Sequence, residues 1–205
     1  MIRYSAPDIS NLDIKRTIKI LRSETITQGK STNEFEKNLK KKFFSKYCLA
    51  LNSATSALTI AMQSLNIKKN DIVWVPAITF VASANSAKYF GAKIEFVDID
   101  LKTFNIDLNY LEKKLEISKK NKKLPKILVV VHLGGNPCDL KNIKKICNKY
   151  KVKIIEDASH AMGARHKKEI IGNCKYSEIT IFSFHAVKMI TTGEGGALLT
   201  NNKKL

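Results

Sequence analysis

Seven short runs of apolar residues, each too short for a helix, recur from residue 47 onward: Tyr47–Leu51, Ile72–Val75, Ile94–Val97, Ile127–Val131, Lys153–Ile155, Ile179–Phe182 and Ala197–Leu199. Most are rich in β-branched residues and show little polar alternation. That is the pattern of strands covered on both faces in a mainly parallel sheet. Stretches with helical spacing lie between them, at about 55–66, 79–89, 107–117 and 139–150. In the last of these, Leu140, Ile143, Ile146 and Cys147 share one face. The alternation predicts βαβ units and an α/β fold with flanking helices. With 205 residues, 44% of them hydrophobic, the chain can bury such a core, which excludes intrinsic disorder.

The segment before the first strand follows a different pattern. Ile9, Leu12, Ile14, Ile18 and Leu21 predict one helix, and Ser31 with Glu34 predicts a capping box for a second through Phe35, Leu39 and Phe43. This gives an N-terminal helical arm over 1–45, either a lid on the chain's own sheet or a dimer contact, ahead of a larger domain over 46–205. No internal repeat is present. The longest apolar run, Ile127–Val131, is far short of the roughly 20 residues that a membrane span needs. Residues 1–8 hold no apolar stretch of the kind a secretory signal carries. Cys48, Cys138, Cys147 and Cys174 form neither a CxxC pair nor a zinc spacing, so they read as reduced thiols and no metal site is expected. A cytoplasmic protein with no membrane partner is expected.

The formal net charge of +18 raises nucleic acid as a partner. The make-up of that charge argues against it. Only four of the 36 basic residues are arginine (Arg3, Arg16, Arg22 and Arg165), whereas base edges and phosphate forks favour its planar donors. The densest basic run, Lys119–Lys126, contains no aromatic residue on which a base could stack. A solvated lysine surface is expected, with a positive field that attracts an anionic small substrate such as a nucleotide-linked compound.

Ligands of open α/β sheets collect where strands end and helices begin, and three such places carry chemistry here. Asn52-Ser53-Ala54-Thr55-Ser56-Ala57 is small and hydroxyl-rich and leads into a helix. It is either an anion cradle of backbone N–H groups or an ordinary N-cap, since both GxxxxGK[ST] and GxGxxG are absent. Glu156-Asp157-Ala158-Ser159-His160 puts carboxylates at the end of a buried strand, where an acid needs a cation or donor. Ser183 ends a strand, and Lys188 follows in an uncharged stretch with Phe184, Val187, Met189 and Ile190 around it and Gly193, Gly195 and Gly196 beyond. Enclosure among those apolar residues would lower the lysine's pKa and make it a nucleophile able to form a Schiff base. Together these are the parts that hold pyridoxal phosphate: a phosphate cradle, an acid for the pyridine nitrogen, and a lysine for the aldehyde. Phe80 is positioned in sequence to lie over the ring face.

These blocks closely resemble the sugar-nucleotide aminotransferases of the DegT/StrS type, which have the fold type I pyridoxal-phosphate architecture. The matching pieces run in family order: Ile26-Thr27-Gln28-Gly29 with Phe35-Glu36, Asn52 through Leu58, Pro76 through Ala82, Glu156 through His160, and Ser183 through Gly196. The closing block, SFHAVKMITTGEGG, looks most like the branch called PseC. That branch moves an amino group, usually from glutamate, to C4 of a UDP-linked 4-keto-6-deoxy-N-acetylhexosamine on the route to pseudaminic acid.

The resemblance implies that Lys188 binds the cofactor covalently and acts as general acid/base, with Asp157 on the pyridine nitrogen and Phe80 stacked on the ring. Ala54 and Thr55, through their backbone, and Ser183, through its hydroxyl, would bind the cofactor phosphate. His160 would stand near the phenolic oxygen. Tyr4 and the segment Thr25, Ile26, Thr27 and Gln28 would face the sugar nucleotide. Lysine at 188 disfavours the family's dehydratase branch, where a histidine stands instead. The resemblance also implies a homodimer with the active site at its interface. In the family a small C-terminal domain follows the GEGG strand and contributes to that interface. Nothing here corresponds to it, so an N-terminal fragment is expected, either the cofactor-binding half of a transaminase or a catalytically inactive remnant.

Overall fold

The computed structural model describes residues 6–205. Among the described residues there are six α-helices: α1 (Asn11–Leu21), α2 (Lys30–Phe43), α3 (Ala54–Ser64), α4 (Ala82–Lys88), α5 (Leu108–Lys120) and α6 (Leu140–Asn148). The strands are β1 (Tyr47–Leu51), β2 (Ile72–Pro76), β3 (Lys93–Val97), β4 (Ile127–Val131), β5 (Lys153–Asp157), β6 (Arg165–His166), β7 (Glu169–Ile170), β8 (Ile179–Ser183) and β9 (Gly196–Thr200). Seven of them form one sheet in the order β1-β9-β8-β5-β4-β2-β3, and β6 pairs with β7 in a small separate hairpin. All seven strand runs read from the sequence are present in the large sheet. The hairpin has no counterpart in the sequence pattern, because two residues per strand are too few to show a period.

Within the large sheet only β9 runs against its neighbours, β1 and β8. The connection from β8 to β9 contains no helix, and without a crossover helix a strand returns antiparallel. Its base is closed by Phe184 N–H donating to the Gly195 carbonyl at 2.9 Å and Thr192 N–H donating to the Phe184 carbonyl at 3.0 Å.

The central strands β4, β8 and β9 are buried along their whole length, as their uninterrupted apolar runs require. The pleat sends alternate residues to opposite layers. Ile127, Val129, Ile155, Ile181 and Leu198 face α3 and α4, packing with Leu58, Met62 and Ala87. Leu128, Val130, Ile154, Phe182 and Leu199 face α5 and α6, packing with Leu111, Leu115 and Ile143. On the edge strand β1, the Ala50 N–H is capped by Glu36 Oε1 at 2.8 Å, which blunts pairing with another chain.

The two N-terminal helices behave differently. Helix α2 joins the core through Leu39 and Phe43, whose ring lies 4.5 Å from Phe182, while Phe35 meets Phe184 edge-on at 5.2 Å. Helix α1 buries no residue, so it is not a lid on this sheet. The capping box expected at Ser31 and Glu34 is not formed. Gly29 is the N-cap of α2 and makes no side-chain cap bond, which puts Ser31 inside the first turn. A capping box stands at α1 instead: Ser10 Oγ accepts from the Asp13 N–H at 3.3 Å, and Asp13 Oδ2 accepts from the Ser10 N–H at 2.9 Å.

One glycine fixes how the sheet meets α3. A Cβ on Gly196, the first residue of β9, would fall 2.5 Å from Ala54 N and Ser53 O, both backbone atoms at the start of α3. Only a residue without a side chain lets that helix sit on the strand. Gly196→Ala is therefore expected to cost about 3 kcal/mol by overpacking, read as a lower urea midpoint at unchanged slope; an unchanged midpoint would contradict this packing.

Candidate active site

Strand register brings the chemistry to one place. Asp157 ends β5 beside Ile181 of β8, with Ser183 two residues further along on the same face, the side that carries α3 and α4. On the other flank Val131 of β4 pairs with Asp157. Above these strand ends lies a cleft of about 520 Å³ whose walls include Ala54, Thr55, Phe80, Asp157, His160, Ser183 and Lys188. Seven residues singled out in four separate blocks of sequence thus share one cavity.

The start of α3 forms one wall. Ser53 caps the helix by accepting from the Ser56 N–H at 3.1 Å, which leaves the N–H groups of Ala54 and Thr55 without an intrahelical acceptor. Together with the helix dipole and the Ser183 hydroxyl, they present a donor set suited to a phosphate.

Asp157 is only 5% exposed, and its carboxylate is met by hydroxyls. Ser83 Oγ, from the first turn of α4, donates to Oδ2 at 2.7 Å. Ser159 donates to Oδ1 from its Oγ at 2.6 Å and its N–H at 3.2 Å. Thr79 Oγ1 lies 2.8 Å from Ser83 Oγ. Neither Ser83 nor Thr79 was identifiable from the sequence, because β-strand end and helix start meet only in the fold. Ser159 did leave a signal: a hydroxyl two residues after an aspartate is the pattern of a local turn.

The neighbouring acid, Glu156, points to the opposite face and has its own partners. His132 Nε2 stands 3.2 Å from Glu156 Oε2, and Ser177 Oγ donates to Oε1. The Cys138 N–H donates to His132 Nδ1 at 3.0 Å, so the ring proton sits on Nε2 and is given to Glu156.

Lys188 is half-buried on the cleft wall. Burial lowers its pKa below the ordinary lysine range, and the nearby Asp157 charge opposes that shift. The enclosure is looser than the sequence suggests, since Met189 and Ile190 are 63% and 55% exposed. Burial also lowers the pKa of His160, reinforced by the Lys188 charge and opposed by Asp157, so its imidazole is neutral at physiological pH. Phe80 stands at the rim, 70% exposed, with its ring free to lie over a bound group. Thr25, Ile26, Thr27 and Gln28 lie between α1 and α2, exposed, and do not line this cleft. Tyr4 lies outside the described residues. All four cysteines are free, and burial pushes each thiol up to about 12, which keeps them unreactive.

A family model for the DegT/DnrJ/EryC1/StrS aminotransferases matches residues 7–205. The chain belongs to that family. Over 206 residues it is 43% identical to the UDP-4-amino-4,6-dideoxy-N-acetyl-beta-L-altrosamine transaminase of Campylobacter jejuni, covering 100% of this chain and 53% of that protein. Among solved structures, Helicobacter pylori PseC, an aminotransferase of pseudaminic acid biosynthesis, superposes with a TM-score of 0.88 at 32% identity. That match covers 98% of this chain and 53% of PseC. A Streptococcus pneumoniae protein assigned as a sugar aminotransferase, solved in its PLP form, gives 0.90 at 32% identity, covering 100% of this chain and 54% of that one. The chain spans about half the length of the curated relatives it matches. These likenesses bear out the expected fold type I architecture of a mainly parallel sheet with helices on both faces.

The lowered pKa of Lys188 has a measurable consequence. Its neutral, nucleophilic amine is populated at lower pH than that of an ordinary lysine. In reductive methylation with formaldehyde, mapped by mass spectrometry, Lys188 is expected to label ahead of the exposed lysines at neutral pH. Its labelling rate should level off at lower pH than theirs as the pH is raised. Labelling no faster than the exposed lysines would contradict a desolvated amine.

Proposed function

We propose that this chain forms the pyridoxal-phosphate-binding part of a sugar-nucleotide aminotransferase, with glutamate as amino donor and a UDP-linked 4-keto-6-deoxy-N-acetylhexosamine as acceptor at C4. The observation that carries this reading is the convergence of Lys188, Asp157, Ser183 and the free N–H groups of α3 on one cleft. The sugar class is taken from the 43% identity to the Campylobacter jejuni transaminase and the likeness to PseC, which together support a place in pseudaminic acid biosynthesis.

The donor set fits the cofactor, which when bound supplies an electron sink for charge developing next to the transferred nitrogen. The protein's own groups do the rest. Lys188 Nζ would hold the cofactor covalently through its neutral amine and, once displaced from it by the incoming amino group, would carry the proton to and from the reacting carbon. Asp157 accepts the ring nitrogen's N–H and so keeps that nitrogen protonated. Ala54, Thr55 and Ser183 anchor the phosphate, Phe80 covers one ring face, and His160 donates toward the phenolic oxygen. Tyr4 with Thr25, Ile26, Thr27 and Gln28 would face the nucleotide. Residues 1–45 act as an arm and 46–205 as the cofactor-binding domain, in a cytoplasmic homodimer. Among the described residues no helix is long and apolar enough to cross a membrane.

A second reading is cofactor binding without turnover. One experiment separates the two. Pyridoxal phosphate added to the chain should give a visible band that borohydride fixes onto Lys188 and that Lys188→Ala abolishes. Glutamate should then convert the unreduced band to the amine form. Persistence of the band in Lys188→Ala would overturn the cofactor reading. Binding without conversion would select the second reading.

A further inference from the structure

Every hydroxyl around Asp157 has a direction that can be counted. A carboxylate offers about four lone-pair positions, two on each oxygen. Ser159 fills both on Oδ1, through its Oγ and its N–H. Ser83 fills one on Oδ2, so one acceptor position remains, on the oxygen that Ser83 already holds. Ser83 has a single O–H, and that proton goes to Asp157. The 2.8 Å contact between Thr79 Oγ1 and Ser83 Oγ is therefore a bond donated by Thr79. The result is a one-way relay, Thr79 to Ser83 to Asp157, in which each bond polarises the next. Ser83 is fully buried, whereas Thr79 is half-buried and lines the cleft. The relay thus runs from the cleft wall to the acid.

Resting on the cofactor reading above, we infer that Ser83 and Thr79 are positioning residues that aim Oδ2 of Asp157 at the ring nitrogen of bound pyridoxal phosphate. The three donors lock the plane of the carboxylate, and the relay selects which oxygen faces the ligand. Without Ser83, Oδ2 has no fixed donor and the carboxylate is held through Oδ1 alone. Neither serine nor threonine touches the cofactor in this scheme. Their effect passes through one contact, Asp157 to the ring nitrogen, and disappears if that nitrogen is absent.

The test follows from that last point. Dissociation constants are measured by absorbance titration for pyridoxal phosphate and for its carba analogue, in which C–H replaces the ring nitrogen. Loss of a hydrogen bond to a charged group predicts that Ser83→Ala weakens pyridoxal phosphate about tenfold. Affinity for the carba analogue should stay within about twofold of wild type, because the one contact through which Ser83 acts is missing from that ligand. Thr79→Val, which removes only the outer donor, should weaken pyridoxal phosphate about threefold with the same selectivity. Equal weakening of both ligands, or of neither, would overturn the inference and leave Ser83 as packing. If Ser83→Ala does not fold, as judged by its melting curve, Thr79→Val decides alone by the same criterion. Failure of the wild-type chain to bind pyridoxal phosphate at all would remove the cofactor reading itself, and that outcome is seen before any variant is made.

Discussion

A carboxylate nearly sealed from water at the end of a central strand has to be met by donors, and around Asp157 the whole site is organised to supply them. Removing such a group from water costs several kcal/mol unless hydrogen bonds replace its hydration. Ser83 and Ser159 replace part of it. One acceptor position is left facing the cleft, where a protonated ring nitrogen would complete the set. Packing serves the same end. Helix α4 must begin close enough to β5 for Ser83 to reach across, and α3 must seat on the bare backbone of Gly196 so that its N-terminus overlooks the same cleft.

The division of labour between β5's last two residues follows from the pleat alone. Glu156 and Asp157 are adjacent acids, yet one faces α5 and α6 and the other faces the cleft. Glu156 is consumed by His132 and Ser177 within the core. The mixed edge of the sheet has a similarly local cause. The connection from β8 to β9 carries Lys188 and folds back on itself without a crossover helix, which reverses β9. That reversal brings the glycine-rich turn beneath α3.

Most of the fold was legible in the sequence because its central strands are fully buried: runs such as Ile127–Val131 need no alternation to be recognised. Lys188 was legible because it stands alone in an uncharged stretch, and Asp157 because an acid at a strand end demands a partner. What escaped the sequence was of two kinds. Ser83 and Thr79 act across a tertiary contact between β5 and the start of α4, which no local pattern records. One capping box was misassigned and another missed, for a subtler reason. Ser31 and Glu34 have capping-box spacing, but the chain enters α2 through Gly29, whose backbone already takes the extended cap conformation. At α1 the equivalent box uses Asp13, one methylene shorter than the usual glutamate. The family resemblance supplied the sugar class, which neither spacing nor burial expresses.

The central claim is that the N-terminus of α3, the end of β5 and the β8–β9 connection form a single binding site for one molecule. Backbone amide NMR, with pyridoxal phosphate titrated into the chain, tests it most directly. The account predicts that the amide signals of Ala54, Thr55, Ser159, His160 and Lys188 move together along one saturation curve. Movement confined to the lysine run at 119–126, with those five signals unchanged, would contradict it.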